Sequence, residues 1–428
     1  MRSTLLRLGG LALKLKSITL VNFKGFEDLT IDFGGKSTIF FGINGVGKST
    51  VLRAIDILYS RLINHIVKNR FKQSVNIELT DIKFGKPRCQ SSGMFLFEDG
   101  NVIEYNRSME RKAKARKHYK KGLDEIYEKF ASEYLRDESC DMPIFVNYGV
   151  NRLVADIPLR TRKHDFDKEM AFEKAIESKI DFRSFFEWMR CQEDYENEIK
   201  VREDPKYTDA ALASVKKAVE AMLENMTNLR IERNPLAMKI DKNGISLRVE
   251  QLSEGEKCTL ALFGDLARRL SLANPGSANP LYGNGVVLID EIELHMHPSW
   301  QRKVVQRLKE TFPNIQFIIT THSPQVLGEV GEDFNIFSFE REGDRVFVNQ
   351  LSSLVGWDSN YILSEFMNTN VVNQATEAMI HDMYRHIEQE EYAEAEQLLR
   401  TLSALTNAAH EDVVKAQILI ARGRRGNA

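Results

Sequence analysis

Gly42-Ile43-Asn44-Gly45-Val46-Gly47-Lys48-Ser49-Thr50 is the stretch that decides the fold of this 428-residue chain. Ahead of it, Thr38-Ile39-Phe40-Phe41 is a short apolar run of strand character, preceded by the turn residues Gly34 and Gly35. Behind it, Val51, Leu52, Ala54, Ile55 and Leu58 recur at helical spacing. Strand, glycine loop, helix is the setting in which GxxxxGK[ST] becomes a phosphate cradle. Backbone N–H groups close around the anion, and the helix N-terminus adds its partial positive charge. Asn44, Gly45, Gly47 and Thr50 are therefore expected to wrap the phosphates of ATP. Lys48 is expected to reach the β- and γ-phosphates, and the Ser49 hydroxyl to ligate Mg2+. The class is α/β.

Further along, Gly285-Val286-Val287-Leu288-Ile289-Asp290-Glu291 is an aliphatic strand ending in two carboxylates. Such a run suits a central parallel strand covered on both faces. At its carboxyl end Asp290 can hold Mg2+, and Glu291 can act as the base that polarises the attacking water. Ile315 to Thr320 predicts another strand, which delivers Thr321-His322-Ser323-Pro324. His322 there can donate to the γ-phosphate and sense its loss. Between phosphate loop and carboxylates lies Gln251-Leu252-Ser253-Glu254-Gly255-Glu256-Lys257, opening a helix through Leu260, Leu262, Phe263 and Leu266. A serine and a glycine at a helix start form a second anion nest.

In this order the four motifs resemble the ABC ATPase superfamily, within it the soluble branch of SMC and RecF-type proteins. The resemblance implies a head-to-tail homodimer, in which Leu252, Ser253, Gly255 and Glu256 of one protomer close in trans on the ATP of the other. Ile292-Glu293-Leu294-His295-Met296-His297-Pro298 occupies the place of the family's D-loop; its histidines read either as metal ligands or as a loop packed against a dimer mate. Val21-Asn22-Phe23-Lys24-Gly25-Phe26 matches a stretch that lies near the adenine in the SMC-like group, making Lys24 and Phe26 candidate base contacts, with Phe23 in the core. The family's glutamine in the loop before the signature stays unassigned, with Gln73 and Gln90 as candidates by order alone.

The divisions expected are an ATPase lobe over 1–60, an insertion lobe over 61–245, a second ATPase lobe over 246–365 and a helical module over 374–428. The insertion lacks sustained heptads, so a mixed lobe, helical in its second half, replaces a coiled coil. Arg107 to Lys121 carries eight Lys/Arg against one Glu. It reads either as a grip on a phosphate backbone or as a solvated loop. Pro143 to Arg152 looks like a strand feeding a loop with an exposed arginine. Phe185-Phe186-Glu187-Trp188-Met189 and Glu193 to Asn197 form an aromatic and acidic helical stretch.

Near the end, three apolar stripes at helical spacing (Met379, Ile380, Met383, Tyr384, Ile387; Tyr392, Ala395, Leu399, Leu402; Val413, Ala416, Ile420) read as amphipathic helices that either dock a partner or cover the sheet. This tail, the Tyr148-Gly149-Val150-Asn151-Arg152 segment, the aromatic helix and the Ile289 to Gln301 run together resemble the PtuA family, the ATPase subunits of Septu-type antiphage defence systems, also found beside some retrons. That resemblance implies an HNH-type nuclease partner (PtuB-like) that acts on DNA under the control of this chain. The 98 residues after Val330 lack a DxD motif, so a nuclease centre in cis is not expected. The alternatives are a RecF-like repair ATPase that grips DNA itself, and an ATP-gated scaffold with negligible turnover.

Bulk properties agree. A formal net charge of −2 advertises no global affinity for nucleic acid. The four cysteines lack CxxC spacing and read as reduced thiols. No apolar run approaches the roughly 20 residues needed to cross a bilayer, and Arg7 and Lys14 interrupt the mildly apolar Leu5 to Leu15, so no signal peptide and a cytoplasmic location are expected.

Overall fold

The computed structural model describes residues 13–426, apart from 69, 72–74, 113–120, 137–140, 153–165, 178, 344, 368–373 and 406–410. Burial sorts the strands into two kinds. β1 (Leu13–Phe23), β2 (Phe26–Asp32), β4 (Arg88–Phe97) and β5 (Val102–Glu110) largely alternate between buried and open positions, as strands with one face on a core do. They pair antiparallel in the order β2-β1-β4-β5. β3 (Ser37–Gly42), β6 (Ile144–Tyr148), β10 (Gly285–Ile289) and β11 (Ile315–Thr321) are buried along their whole length, which requires cover on both faces.

With β12 (Phe334–Glu342) and β13 (Arg345–Leu351) these four build a six-stranded sheet in the order β13-β12-β3-β11-β10-β6. Every pair is parallel except the antiparallel edge strand β13. Gln316 on β11 stitches the two sheets together. Its side-chain amide accepts from the Leu15 N–H and donates to the Leu15 carbonyl, both at 2.8 Å. A third, small antiparallel sheet consists of β7 (Met226–Arg233), β8 (Leu236–Lys242) and β9 (Ile245–Arg248).

The helices of this part are α1 (Lys48–Ile66), α2 (Lys121–Arg136), α3 (Phe182–Arg202), α4 (Ala210–Met222), α5 (Glu254–Ala273), α6 (Pro298–Thr311) and the single turn α7 (Pro324–Leu327). α5 is buried on nearly every side from Cys258 to Ala273. Its interior charges are paired: the Asp265 carboxylate accepts from Arg268, Arg269 and the Tyr148 hydroxyl. Burial alone would raise the Asp265 pKa, but the two guanidinium groups hold it at about 2. The network ties α5 to the end of β6. Phe185, Phe186, Trp188 and Met189 of α3 are all fully buried, so the aromatic stretch is core.

The chain divides into two compact units, Met1–Trp357 and Asp358–Ala428. Residues 61–245 are thus not a lobe of their own. β4 lies along β1 from Leu13↔Phe97 to Val21↔Gln90, and β6 pairs with β10, so the segment supplies strands to both main sheets. The second unit begins at Asp358, ahead of the boundary expected between 365 and 374. It holds the short α8 (Ser359–Tyr361), then α9 (Gln374–Glu388), α10 (Tyr392–Leu405) and α11 (Glu411–Gly426). The three apolar stripes pack on one another: Met383, Ala395, Leu399, Leu402, Val413, Ala416 and Ile420 form one buried cluster. They are spent on a core of their own. No helix among the described residues is long and apolar enough to cross a membrane.

Candidate functional site

Parallel strands bring their carboxyl ends to one edge, where the loops that follow can share a site. Here β3 delivers the glycine loop, β11 delivers His322, β10 delivers Asp290 and Glu291, and β6 delivers Gly149 to Arg152. Asn44, Gly45, Gly47, Lys48, Ser49, Thr50, Asp290, Glu291 and His322 together line a cavity of about 220 Å3. Ser49 and Asp290, 241 positions apart in sequence, meet there because the sheet order interleaves the two ends of the unit.

Two glycines of the loop answer to specific contacts. Gly42 has φ 140 and a Cβ there would stand 2.3 Å from the Phe339 carbonyl oxygen. Gly47 has φ 123, and its Cβ would meet the Phe26 ring at 2.6 Å. Phe26 is therefore the floor beneath the loop, 3% exposed and edge-on to Phe339, which corrects its expected role as a base contact. Lys24 stands 3.6 Å from the buried Asp81 carboxylate and is not among the residues that line the cavity. Phe23 is fully buried, as expected of core.

Lys48 folds back over the loop and donates to the carbonyls of Gly42 (2.8 Å) and Ile43 (3.0 Å). Burial lowers its pKa to about 8 against the opposing pull of Asp290, Glu291 and Glu293. Ser49 donates to Asp290 Oδ1 at 3.2 Å, and Thr320 donates to the same oxygen at 2.5 Å. A hydroxyl and a carboxylate converging in this way are hard oxygen donors of the kind Mg2+ takes, so the residues present fit that ion. The Thr320 hydroxyl also accepts from the Glu291 N–H at 2.8 Å. His322 has its pKa lowered by burial and then by Lys48, which favours the neutral imidazole.

Sequence reasoning missed three members of this site. Thr320 reads in the sequence only as strand. Glu293 reads only as loop, yet its carboxylate accepts from the Thr321 hydroxyl (2.8 Å) and the His322 N–H (2.5 Å). Arg152, expected to be exposed, is 2% exposed. Its guanidinium turns inward onto the carbonyls of Gly149 (2.9 Å), Asp290 and Glu291 (3.1 Å), because those carbonyls lie at the strand ends beside it. The Tyr148 to Arg152 segment stands out in the sequence, but a lone arginine after a strand gives no sign of which way it points.

The signature lies at the start of α5. Ser253 is the N-cap, and it and Glu256 form a capping box: the Ser253 side chain receives the Glu256 N–H, and the Glu256 carboxylate receives the Ser253 N–H at 2.9 Å. Lys242 holds the other oxygen of Glu256 at 2.6 Å. A Cβ on Gly255 would stand 2.1 Å from the His295 carbonyl oxygen, so glycine is what lets the signature touch the 291–297 loop. Leu252 is buried beneath the turn. None of these four lines the cavity formed by its own chain's glycine loop. His297 caps α6 by accepting from the Ser299 N–H, which gives it a structural task without a metal.

Gln90 sits on β4 and donates to Ser92, away from the cavity lining. Gln73 and the N-terminal stretch through residue 12 lie outside the described residues. Of the basic stretch, Arg107 belongs to β5 and is buried, donating to the Ile57 carbonyl at 2.7 Å, while residues 113–120 lie outside the description.

A mostly parallel sheet gathering a glycine loop, an Asp-Glu pair and a histidine, with a serine-capped signature helix, defines an ABC-type ATPase head. The chain belongs to the family described as AAA domain, putative AbiEii toxin, Type IV TA system, which matches residues 37–328. It is similar to the retron Ec83 probable ATPase of Escherichia coli, 33% identical over 384 residues, 75% of this chain and 70% of the relative. The retron Vc95 probable ATPase of Vibrio cholerae is 30% identical over 374 residues, 74% of this chain and 72% of the relative. The Septu protein PtuA of Bacillus thuringiensis is 22% identical, with 83% of this chain and 84% of the relative covered. The chain thus stands with the retron probable ATPases and is also similar, at lower identity, to Septu PtuA.

Proposed function

We propose that this chain is the ATP-hydrolysing regulatory subunit of a defence complex, working as a head-to-tail homodimer that controls an HNH-type nuclease partner acting on DNA. The observation that carries the ATPase part is the convergence of Lys48, Ser49, Asp290, Glu291 and His322 on one cavity. The glycine loop and Lys48 hold the triphosphate, and Ser253 and Gly255 of the second protomer close on its γ-phosphate. Ser49 and Asp290 would hold Mg2+, which when bound supplies positive charge to the β- and γ-phosphates. Glu291 accepts a proton from the attacking water as its oxygen bonds to the γ-phosphorus. The bond from that phosphorus to the bridging oxygen breaks, ADP leaves, and His322 donates to the transferred group. Turnover is slow, as suits a switch, and cleavage of DNA belongs to the partner.

The self-contained core of the second unit supports a docking role for residues 374–428, since their apolar stripes are already used while Val414, Ile418 and Leu419 of α11 are exposed. Tagged protein with and without residues 374–428, recovered from its host, tests this. A co-purifying HNH nuclease that is lost on truncation supports the reading; recovery without a nuclease rejects it. One observation favours a second reading, direct DNA binding: Lys86, Arg88, Arg111 and Lys112, with Glu110 among them, line a cavity of about 530 Å3 where β4 begins and β5 ends. Salt-dependent DNA binding by the isolated chain, lost on neutralising Arg111, Lys112, Arg116 and Lys117, would select it.

A further inference from the structure

Glu291 sits in the left-handed region with φ 50, a conformation that side chains other than glycine rarely adopt. Such a backbone persists only where its surroundings hold it. Two side chains do so from opposite directions. The Thr320 hydroxyl receives the Glu291 N–H at 2.8 Å, and the Arg152 guanidinium donates to the Glu291 carbonyl at 3.1 Å. The same nitrogen of Arg152 also donates to the Asp290 carbonyl, so one guanidinium bridges the two peptides that flank Glu291.

Arg152 is itself held. Its Nε donates to the Gly149 carbonyl at 2.9 Å, which anchors it to the end of β6, and its own carbonyl accepts from Cys258 on the signature helix α5. Burial pulls its pKa down to about 10, against the attraction of Cys258, Glu293, Asp290 and Glu291, so it stays charged at neutral pH. A buried, charged fork aimed at main-chain carbonyls does not serve as an ordinary ion pair. It shapes the backbone it grips.

We infer that Arg152 is a positioning residue for hydrolysis, holding the Asp290–Glu291 peptide in the conformation that turns the Glu291 carboxylate toward the cavity. The inference rests on the reading of Glu291 as the base. It also makes the signature helix, through Cys258 and Arg152, a direct neighbour of the turn that carries that base.

The test compares Arg152→Met, Arg152→Lys, Glu291→Gln and the Arg152→Met/Glu291→Gln double variant in the full-length chain, with ATP affinity and turnover measured separately. Arg152→Met is expected to lower kcat by roughly 10²-fold, the scale of a displaced catalytic group. Its ATP Kd is expected to stay within about threefold, the mark of an interaction that serves the transition state. Arg152→Lys recovers part of the loss, because an ammonium can still donate to carbonyls but lacks the fork. The double variant is expected to be no slower than Glu291→Gln alone, since Arg152 acts through that residue.

Normal kcat in folded Arg152→Met, equal losses in affinity and turnover, or multiplied losses in the double variant would each overturn the inference. Should Arg152→Met not fold, Thr320→Val and Thr320→Ser carry the test on the other side of the same peptide. Valine is expected to slow turnover and serine to restore it; equal turnover in the two overturns the inference. Unaltered turnover in Glu291→Gln would reject the base assignment itself, a different failure from normal turnover in Arg152→Met beside an inactive Glu291→Gln.

Discussion

The amide of His322 donates to the carboxylate of Glu293 at 2.5 Å, and the hydroxyl of the preceding Thr321 donates to the other oxygen of that carboxylate at 2.8 Å. One side chain from the loop after β10 thus holds the residue that closes β11. Glu293→Ala is expected to lower turnover by about tenfold or more through a displaced His322, while ATP still binds to the glycine loop. Glu293→Gln, which retains acceptor capacity on one oxygen, should lie between the two. Steady-state hydrolysis and nucleotide titration of both variants check this; equal turnover in wild type and Glu293→Ala would remove Glu293 from the site.

Lys48 predicts a pH dependence of binding. Burial puts its pKa at about 8 in the free protein, and the negative triphosphate must raise it in the complex. The bound state therefore holds more protons than the free state once pH exceeds about 8. ATP affinity is expected to be flat below that pH and to fall above it, by up to about tenfold per pH unit. Calorimetry in buffers of different ionisation enthalpy should register proton uptake on binding at pH 9. Lys48→Ala is expected to abolish nucleotide binding at every pH, and normal affinity in that variant would refute the phosphate-loop assignment.

Gly255 predicts a split between binding and hydrolysis. A Cβ at that position would stand 2.1 Å from the His295 carbonyl oxygen, a backbone atom that cannot swing aside. Gly255→Ala is expected to cost about 1–3 kcal/mol of stability through that overpacking. It is also expected to remove ATPase activity while the glycine loop keeps its affinity. Thermal unfolding and nucleotide titration together read both parts; full activity in Gly255→Ala would show that the signature and the 291–297 loop need not touch.

What the sequence revealed followed from how local each signal was. The glycine loop, the Asp290-Glu291 strand end and the Ser253 cap each announce themselves within a dozen residues, and the three apolar stripes were legible because a helix core leaves a period. What escaped depends on long-range register. β4 and β6 look like parts of an insertion until β4 is seen against β1 and β6 against β10. Arg152 reads as a solvent-facing arginine until the carbonyls of Asp290 and Glu291, 138 and 139 positions away, are set beside it. Phe26 reads as a base contact until its ring is found 2.6 Å from where a Gly47 Cβ would stand, beneath the loop.

The central claim is that each nucleotide is hydrolysed between two copies of the chain. Lys48→Ala destroys the phosphate loop and leaves the signature; Ser253→Arg destroys the signature and leaves the phosphate loop. Each variant alone should be inactive. Mixed in equal amounts under conditions that allow subunit exchange, they should recover about a quarter of wild-type activity, because half of the symmetric dimers become mixed and each mixed dimer carries one intact site of two. Recovery on mixing is the result predicted here; full activity in Ser253→Arg alone, or no recovery in a mixture proven to exchange subunits, would contradict it.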